Sequence, residues 1–196
     1  MKIISLESTS EDLIINKSKF IGLSFIITTR DSALEKIKCL QSAHPSCSHI
    51  AYAYQTYLGN SIEPYFNDAG EPSGTAGKPL LNILENQNIV NTCLAVVRYY
   101  GGVNLGTGGL ARAYSKAGML ALKRSKVADF TLNNYYLLSF KYSMLDSITH
   151  VIYSNNGSII DKQFTEEIQL KVKITPKGVQ EIVARFPLIN IEEISQ

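Results

Sequence analysis

Two glycine-rich stretches hold most of the residues in this chain that could do chemistry. Residues 65–117 contain eight of the thirteen glycines, which fall mainly in residues 66–79 (the first loop) and residues 98–112 (the second loop). Glycine permits positive φ angles and lets backbone approach a ligand closely, so each loop could present N–H groups to a bound group. Both loops run into helical patterns, and helix N-termini attract anions. Phosphate binding is therefore the first chemistry that the sequence suggests.

The first loop offers donors in the run Gly74-Thr75-Ala76-Gly77-Lys78. We expect Gly74, Thr75, Gly77 and Lys78 to contact phosphate, because small residues expose their N–H groups and lysine adds positive charge. The run is not an ATPase phosphate loop. That motif needs glycine at position 72 and a hydroxyl at position 79, and this chain has proline at both.

The second loop follows an apolar strand that ends near Arg98. We expect Arg98, Asn104, Thr107 and Gly108 to bind phosphate and Tyr99 to supply a stacking plane. Residues 106–111, with Asp129 downstream, also fit a relaxed dinucleotide-binding fingerprint. The strand ends too far upstream for the tight strand-to-helix turn of that fingerprint, so we set this interpretation aside.

The helix predicted over residues 109–125 carries a row of cations. At about 100° per residue, Arg112, Lys116 and Lys123 fall close together on one side, and small residues centre on the opposite side. Residues 86–128 contain no acidic side chain. A row of charges is usually only a solvated helix face. Here it adjoins the second loop, which favours a surface that binds RNA or ribosomal phosphate.

An alternative is an enzyme that acts on a small phosphorylated or carbonyl substrate at the same loops. Its candidate residues are His49, Asp68, Glu71 and Ser73. An acidic residue just before a helix is more often a cap or the partner of an arginine than a catalyst. Ser73 lacks the Gly-x-Ser-x-Gly turn of hydrolase nucleophiles. We therefore favour binding over catalysis.

The histidines and cysteines form no recognisable metal or nucleophile motif. The spacing of Cys39, His44, Cys47 and His49 matches no common zinc pattern. Cys93 lies in an apolar strand, where a buried thiol is usually inert. Three cysteines cannot all pair within one chain, so free thiols are expected rather than a disulfide framework. No cofactor or metal is predicted.

Composition is ordinary for a globular protein, with 45% hydrophobic and 18% charged residues and a formal net charge of +2. No apolar run approaches the roughly 18 residues of a membrane span, and the first residues do not form a signal sequence. We expect a cytoplasmic protein without a membrane partner. Nothing in the sequence favours a particular oligomeric state.

The residue patterns predict an α+β protein of two domains, residues 1–133 and 134–196. Glycine becomes scarce after residue 133; residues 1–133 hold thirteen basic and ten acidic side chains, and residues 134–196 hold six and seven. The second domain reads as β-α-β-β-α-β, the ferredoxin-like split motif. For the first domain we predict a hairpin turn at Asn16-Lys17, a helix capped by Asp31-Ser32, a turn at Gly59-Asn60, strands at 11–15, 18–28, 49–57, 89–97 and 127–132, and helices at 78–87 and 109–125.

The two loops also carry a family resemblance. Three segments resemble the signature of the YigZ/IMPACT family, and His44-Pro45 and His49 agree with it. The segments are Asp68-Ala69-Gly70-Glu71-Pro72-Ser73-Gly74-Thr75-Ala76-Gly77, Val97-Arg98-Tyr99-Tyr100-Gly101-Gly102 and Leu105-Gly106-Thr107-Gly108-Gly109-Leu110. The family usually reads Ser-Asp-Asp-Gly-Glu-Pro, and this chain has Ala69 in place of the second aspartate. The likeness covers most of the chain, though the C-terminal third matches by pattern more than by residues.

The resemblance implies a fold for each domain and a setting for the function. The first domain would share the β-α fold of the second domain of a small-subunit ribosomal protein and of elongation factor G. The second would resemble a ferredoxin-like domain of that elongation factor. Eukaryotic relatives carry an additional N-terminal domain and act in translational control through an activator of the kinase that modifies an initiation factor. This chain resembles the shorter bacterial type.

The leading hypothesis is a cytoplasmic binding protein of the translation apparatus that contacts RNA or the ribosome, with a protein partner there as a further option. The enzyme described above is the alternative, and an adaptor between proteins, whose loops are only structural turns, is a third. The leading hypothesis requires the two loops, about thirty residues apart along the chain, to fold into one positively charged recess rich in amide groups.

Overall fold

The computed structural model describes residues 1–58 and 61–194. The chain divides into two compact units, Met1–Phe130 and Thr131–Gln196. The boundary predicted at residue 133 lies just inside the second unit, and the turn predicted at Gly59-Asn60 lies outside the described residues. Helices and several sheets are both present, so the predicted α+β class is confirmed.

The first unit is built on an antiparallel sheet. Its strands are β1 (Lys2–Ile4), β2 (Ser8–Thr9), β3 (Leu13–Ile15), β4 (Ser18–Ile26), β5 (His49–Leu58), β6 (Ser61–Asn67), β7 (Thr92–Tyr99) and β8 (Val127–Asp129). Within the described residues, the main sheet has the order β2-β4-β7-β5-β6, β3 also pairs with β4, and β1 pairs with β8 apart from it. Asn16 and Lys17, with φ of 44° and 62°, form the predicted turn between β3 and β4.

Helices cover both faces of this sheet. The helices are α1 (Arg30–Ala43), α2 (Gly77–Asn86) and α3 (Gly106–Arg124). One buried cluster joins α1 to one face of β4, β5 and β7, and a second joins α2 and α3 to the other face. The residues from Cys93 to Val97 are each 0% exposed. The predicted burial of this strand on both faces is therefore confirmed.

Strands β1 and β2 were not predicted, and three further details of the first unit differ from the prediction in ways that bear on the helices and the edge of the sheet. Thr29, not Asp31-Ser32, is the N-cap of α1; its hydroxyl accepts from the Ser32 N–H, and the Ser32 hydroxyl completes a capping box. Helix α3 begins at Gly106 rather than at residue 109, so the last glycines of the second loop form its first turn. Strand β6 was not predicted, because its residues are mostly exposed at the edge of the sheet and include Pro64.

The small residues of α3 pack inward, as predicted. Leu110, Ala113, Tyr114, Ala117 and Ala121 are all buried. The small side chains of Ala117 and Ala121 let α3 lie close to Gly22 on β4.

The second unit has the predicted β-α-β-β-α-β order. Its elements are β9 (Asn134–Phe140), a short 3₁₀ helix (Tyr142–Met144), α4 (Leu145–Ser154), β10 (Ser158–Phe164), β11 (Ile168–Ile174), α5 (Pro176–Arg185) and β12 (Asn190–Ile194). Within residues 131–194 the strands form an antiparallel sheet in the order β10-β11-β9-β12. Across the described part of the chain, no helix combines the length and apolar character needed to cross a membrane.

Candidate functional site

The two loops meet beside the N-terminal end of α3 and enclose a pocket of about 470 Å³. The lining residues are Ser48, His49, Glu71, Pro72, Arg98, Tyr100, Asn104, Leu105, Gly106, Thr107 and Leu110. The predicted convergence of the loops is thus confirmed. The volume lies within the range of small-ligand sites.

A buried ion pair joins the loops. Arg98 Nη1 donates to Glu71 Oε1 at 2.6 Å, and the two side chains are only 5% and 4% exposed. The Tyr114 hydroxyl donates to the same oxygen at 2.6 Å. Burial, and then this hydrogen bond to the carboxylate, raises the pKa of Tyr114 far above its ordinary value. Because Glu71 balances the charge of Arg98, the recess is not the strongly positive one that the sequence predicted.

Arg98 keeps one unpaired donor. Its Nη2 lies 3.4 Å from Ser18 Oγ, and the rings of Phe20 and Tyr100 lie 5.4 and 5.2 Å from its guanidinium carbon. Its Nε is buried without a hydrogen-bond partner among the described residues. A buried donor left unpaired costs about 1–3 kcal/mol.

The N-terminus of α3 opens onto the pocket without a cap. Its N-cap residue is Leu105, and within the described residues no cap side chain accepts from the first turn, which also contains no acid. Gly106 and Thr107 line the pocket. The N–H groups and the positive end of the helix dipole therefore remain available to an anion.

Gly101 allows the second loop to reach this position. A Cβ on Gly101 would lie 2.1 Å from the carbonyl carbon and oxygen of Lys17. Any side chain there would push the loop away from the turn between β3 and β4. The start of α3 would then leave the pocket.

Three N–H groups of the first loop are already bonded within the protein. Asp68 Oδ2 accepts from the Gly74 N–H at 2.8 Å, and Asp68 Oδ1 accepts from those of Ala76 and Gly77 at 3.0 and 2.8 Å. Burial acts to raise the pKa of Asp68, but these backbone hydrogen bonds outweigh it and lower the pKa below its ordinary value. The expected role of Gly74 and Gly77 as phosphate donors is therefore wrong in this structure, because a carboxylate of the protein already occupies them.

The other predicted residues of the first loop also have structural partners. Buried Thr75 donates its hydroxyl to the Pro72 carbonyl at 2.6 Å. Lys78 lies 3.6 Å from Glu85. Ser73 is exposed and is not among the residues that line the pocket. From the first loop, Glu71 and Pro72 reach the pocket.

His49 is held in one orientation at the pocket wall. Its Nδ1 lies 2.8 Å from the carbonyl oxygen of Ala69. A carbonyl can only accept, so Nδ1 carries the proton in this bond. His49 Nε2 then faces Glu71, 3.9 Å from Oε1. Of the alternative small-molecule set, the structure brings His49 and Glu71 together in the pocket and assigns Asp68 to the loop.

Tyr100, not Tyr99, is the aromatic residue of the pocket. Tyr99 lies on the opposite side of the sheet, where its hydroxyl bonds His44 Nδ1 at 2.8 Å. Tyr100 is 47% exposed and donates its hydroxyl to Asn104 Oδ1 at 2.9 Å. The sequence could have indicated this, because side chains alternate along a strand: residues 98 and 100 share a face, and residue 99 lies on the other.

The predicted row of cations on α3 divides into two parts. Exposed Arg112 and Lys116 line a groove between α2 and α3, and Nη1 of Arg112 lies 3.5 Å from where a Cβ on Gly108 would be, beside the first turn of α3. No carboxylate of the described residues lies within 4.0 Å of either cation. Lys123 lines a separate groove with Glu11 and Asp12. Arg112 and Lys116 thus extend the positive charge from the first turn of α3 along the helix. Lys123 lies apart from them.

The cysteines and histidines are arranged as structural residues. The three cysteines are free thiols, and burial raises the pKa of the Cys93 thiol to about 12. Cys93 and His49 do not form a nucleophile pair. In the ladder between β5 and β7, Cys93 lies opposite Tyr54, whereas His49 lies opposite Arg98, five residues further along β7. Across residues 1–58 and 61–194, no three His, Cys, Asp or Glu side chains cluster as metal ligands do.

The comparison with known proteins agrees with the loop signature. Residues 16–122, which contain both loops and most of α3, match the family described as the Impact N-terminal domain. IMPACT family member YvyE of Bacillus subtilis is 31% identical over 171 residues, which cover 87% of this chain and 78% of YvyE. The chain belongs to the IMPACT family.

Similarity to other IMPACT proteins extends beyond the first unit. IMPACT family member YigZ of Escherichia coli is 31% identical over 173 residues, covering 88% of this chain and 85% of YigZ. A crystal structure titled as that of a hypothetical protein covers 100% of this chain and 97% of its own, with a TM-score of 0.70 and 29% identity. The similarity therefore extends over nearly the whole length of a solved relative.

Proposed function

We propose that this IMPACT protein binds RNA by holding a phosphate in the pocket between its two loops. The observation that carries the proposal is the uncapped N-terminus of α3 facing a buried arginine whose Nε is unpaired. Arg98 and the first residues of α3 line the same recess, which is large enough for a ligand. Because Glu71 already balances the Arg98 charge, the attraction comes from the helix amides and the helix dipole.

Two further features support RNA as the source of the phosphate. Arg112 and Lys116 extend from the pocket along the exposed face of α3, as needed for neighbouring phosphates on a strand. Tyr100 offers an exposed ring at the pocket, on which an unstacked base could lie. Lys123 is left out, because Glu11 and Asp12 lie beside it.

The translation apparatus is the setting that we propose for this RNA. Its support is the resemblance of the loops to a family with members in translational control, and the resemblance of both units to domains of translation proteins. Fold likeness of this kind is an analogy rather than a site argument. A ribosomal RNA ligand would place the protein in the cytoplasm, as the composition predicts.

The test is RNA affinity as a function of salt, measured by fluorescence anisotropy with a short labelled single-stranded RNA. Replacing Arg112 and Lys116 by Gln should weaken binding and reduce the slope of log affinity against log salt by roughly 1.4, because each phosphate contact on a single strand contributes about 0.7. Lys123→Gln is the matched control, since it removes a cation of the same helix outside the proposed path. Unchanged affinity and slope in the double variant would exclude the cationic face.

The pocket is tested separately. Thr107→Glu places a carboxylate at the first turn of α3, where the helix dipole attracts it. This variant should fold as well as wild type and lose RNA binding, because its own carboxylate competes for the amides. Retention of full affinity would show that phosphate does not bind there.

One observation favours an enzyme as the second candidate. His49, held by its hydrogen bond to Ala69, presents Nε2 near Glu71 at the pocket. In this position Nε2 could accept a proton from a small phosphorylated or carbonyl substrate. Crystals soaked with nucleoside monophosphates and sugar phosphates, together with a filter-binding assay for RNA, distinguish the candidates. A small ligand enclosed by both loops with no RNA retention would favour the enzyme.

A further inference from the structure

The sheet of the second unit has one face that its own helices do not cover. Alternate residues of β9 and β11, such as Leu138, Phe140, Leu170 and Val172, are buried in one cluster with residues of α4 and α5. The residues between them lie on the opposite face, because side chains alternate along a strand. The centre of that open face is formed by Tyr135, Leu137, Lys171 and Lys173, all of which are half-exposed.

Strand register places these four residues together. In the antiparallel ladder between β9 and β11, Tyr135 lies opposite Lys173 and Leu137 lies opposite Lys171. The Nζ atoms of Lys171 and Lys173 lie 5.8 and 5.7 Å from the centre of the Tyr135 ring. Two ammonium groups therefore converge on one aromatic ring in the middle of the sheet.

The carboxylates of this face lie on its outer strands. Asp161 on β10 is opposite Lys171, and Glu192 on β12 is opposite Leu137. Neither forms an ion pair within 4.0 Å of a lysine nitrogen in the described residues. The two central cations are thus available to an external anion, and the acidic residues border the position that it would take.

We propose that this open face is a second binding site, specific for single-stranded RNA. A base would stack on Tyr135, and Lys171 and Lys173 would turn from the ring to the phosphates on either side of that base. Aromatic residues on the central strands of a four-stranded sheet, with cations beside them, are a common way to hold unpaired bases. A duplex does not fit, since its bases are already stacked and a flat sheet cannot enter the narrow groove of A-form RNA.

The composition of the face favours nucleic acid over a protein partner. The buried centre of a protein interface is depleted in lysine and enriched in apolar and aromatic residues. Here two lysines occupy the centre, so a protein would have to bury both ammonium groups. An RNA strand gives each of them a phosphate instead.

The experiment uses the full chain with Arg112 and Lys116 replaced by Gln, so that the site of the first unit contributes little. The probes are a labelled oligouridylate and an abasic oligomer with the same ribose-phosphate backbone. Tyr135→Ala should lower affinity for the oligouridylate roughly tenfold, in the range expected for loss of one base stack, and leave the abasic oligomer unchanged. Tyr135→Phe keeps the ring and should keep the affinity.

Replacing Lys171 and Lys173 by Gln should reduce the salt slope by roughly 1.4 for both probes. Lys162→Gln is the control. Lys162 lies opposite Leu170 on β11, so its side chain is on the other face of the sheet. Circular dichroism checks that the variants fold. If Tyr135→Ala disturbs the fold, Tyr135→Leu is used in its place. The proposal is overturned if loss of the ring changes neither probe or both equally. It is also overturned if a photo-crosslinker at position 137 captures a protein in cells and no RNA.

Discussion

The two loops have similar glycine content but differ in what occupies their amides. In the first loop the carboxylate of Asp68 accepts three backbone N–H groups ahead of α2. At the start of α3 no corresponding side chain is found within the described residues. The open end of α3, beside the unpaired Nε of Arg98, is therefore the position that calls for a ligand.

Asp68 provides a test of this contrast. Asp68→Asn should destabilise the first unit by about 1 kcal/mol, as for loss of a helix cap, because the amide cannot accept from all three N–H groups. RNA affinity should stay unchanged, since Asp68 is not a pocket residue. Urea unfolding and anisotropy measure the two quantities, and Asp129→Asn, an exposed change in the same unit, is the control.

The effect of Asp68 should depend on pH in one direction. Its pKa is lowered in the folded protein, so its stabilisation is fully present above the unfolded pKa of about 3.9 and is lost as pH falls through the folded pKa. The difference in unfolding free energy between wild type and Asp68→Asn should be largest at neutral pH and vanish in acid. A difference that is the same at all pH values would contradict the assigned hydrogen bonds.

At the scale of elements, the position of α3 depends on its close approach to β4. A Cβ on Gly22 would lie 2.1 Å from the carbonyl oxygen of Ala117, which is backbone and cannot turn aside. A Cβ on Gly118 would instead meet Leu80 Cδ2 at 2.6 Å, the end of a flexible side chain. Both contacts are too short for a Cβ, but only the neighbour of Gly118 can move aside by changing its side-chain rotamer.

Gly22→Ala should therefore cost about 1–3 kcal/mol or more and should lower RNA affinity, because α3 must move away from the sheet. Gly118→Ala should cost less, since Leu80 can change rotamer and alanine favours the helix by up to about 1 kcal/mol. Urea unfolding of both variants measures the difference. Equal costs would indicate that α3 is not held by the contact with β4.

Residue patterns predict the elements with strong periodicity and fail where long-range contacts decide. The buried face of α3 was predictable, because Ala113, Ala117 and Ala121 recur at helical spacing. Strand β6 was not, since an exposed edge strand has no apolar alternation. In the site, the meeting of the loops was expected, because the hypothesis of one binding recess requires it. The capture of the first-loop amides by Asp68 was not, because it depends on the path of the loop.

At the scale of the whole molecule, the chain has separate hydrophobic cores for its two units. The clusters around the first sheet contain residues up to Leu122, and the cluster of the second sheet begins at Tyr136. Leu94 and Leu170 are each 0% exposed at the centre of one core. Since no residue is shared between these clusters, each unit should unfold with its own free energy.

Leu94→Ala and Leu170→Ala should each cost about 2–5 kcal/mol, in the unit that contains the substitution. Hydrogen exchange followed by mass spectrometry in low urea measures opening of peptides from residues 1–130 and 131–194 separately. Leu170→Ala should loosen the second set alone and weaken base-dependent binding of oligouridylate, while the contribution of Arg112 and Lys116 to the salt slope persists. Loosening of both sets by either change would show that the units unfold as one, and the two proposed RNA sites could then no longer be assigned to independent parts of the chain.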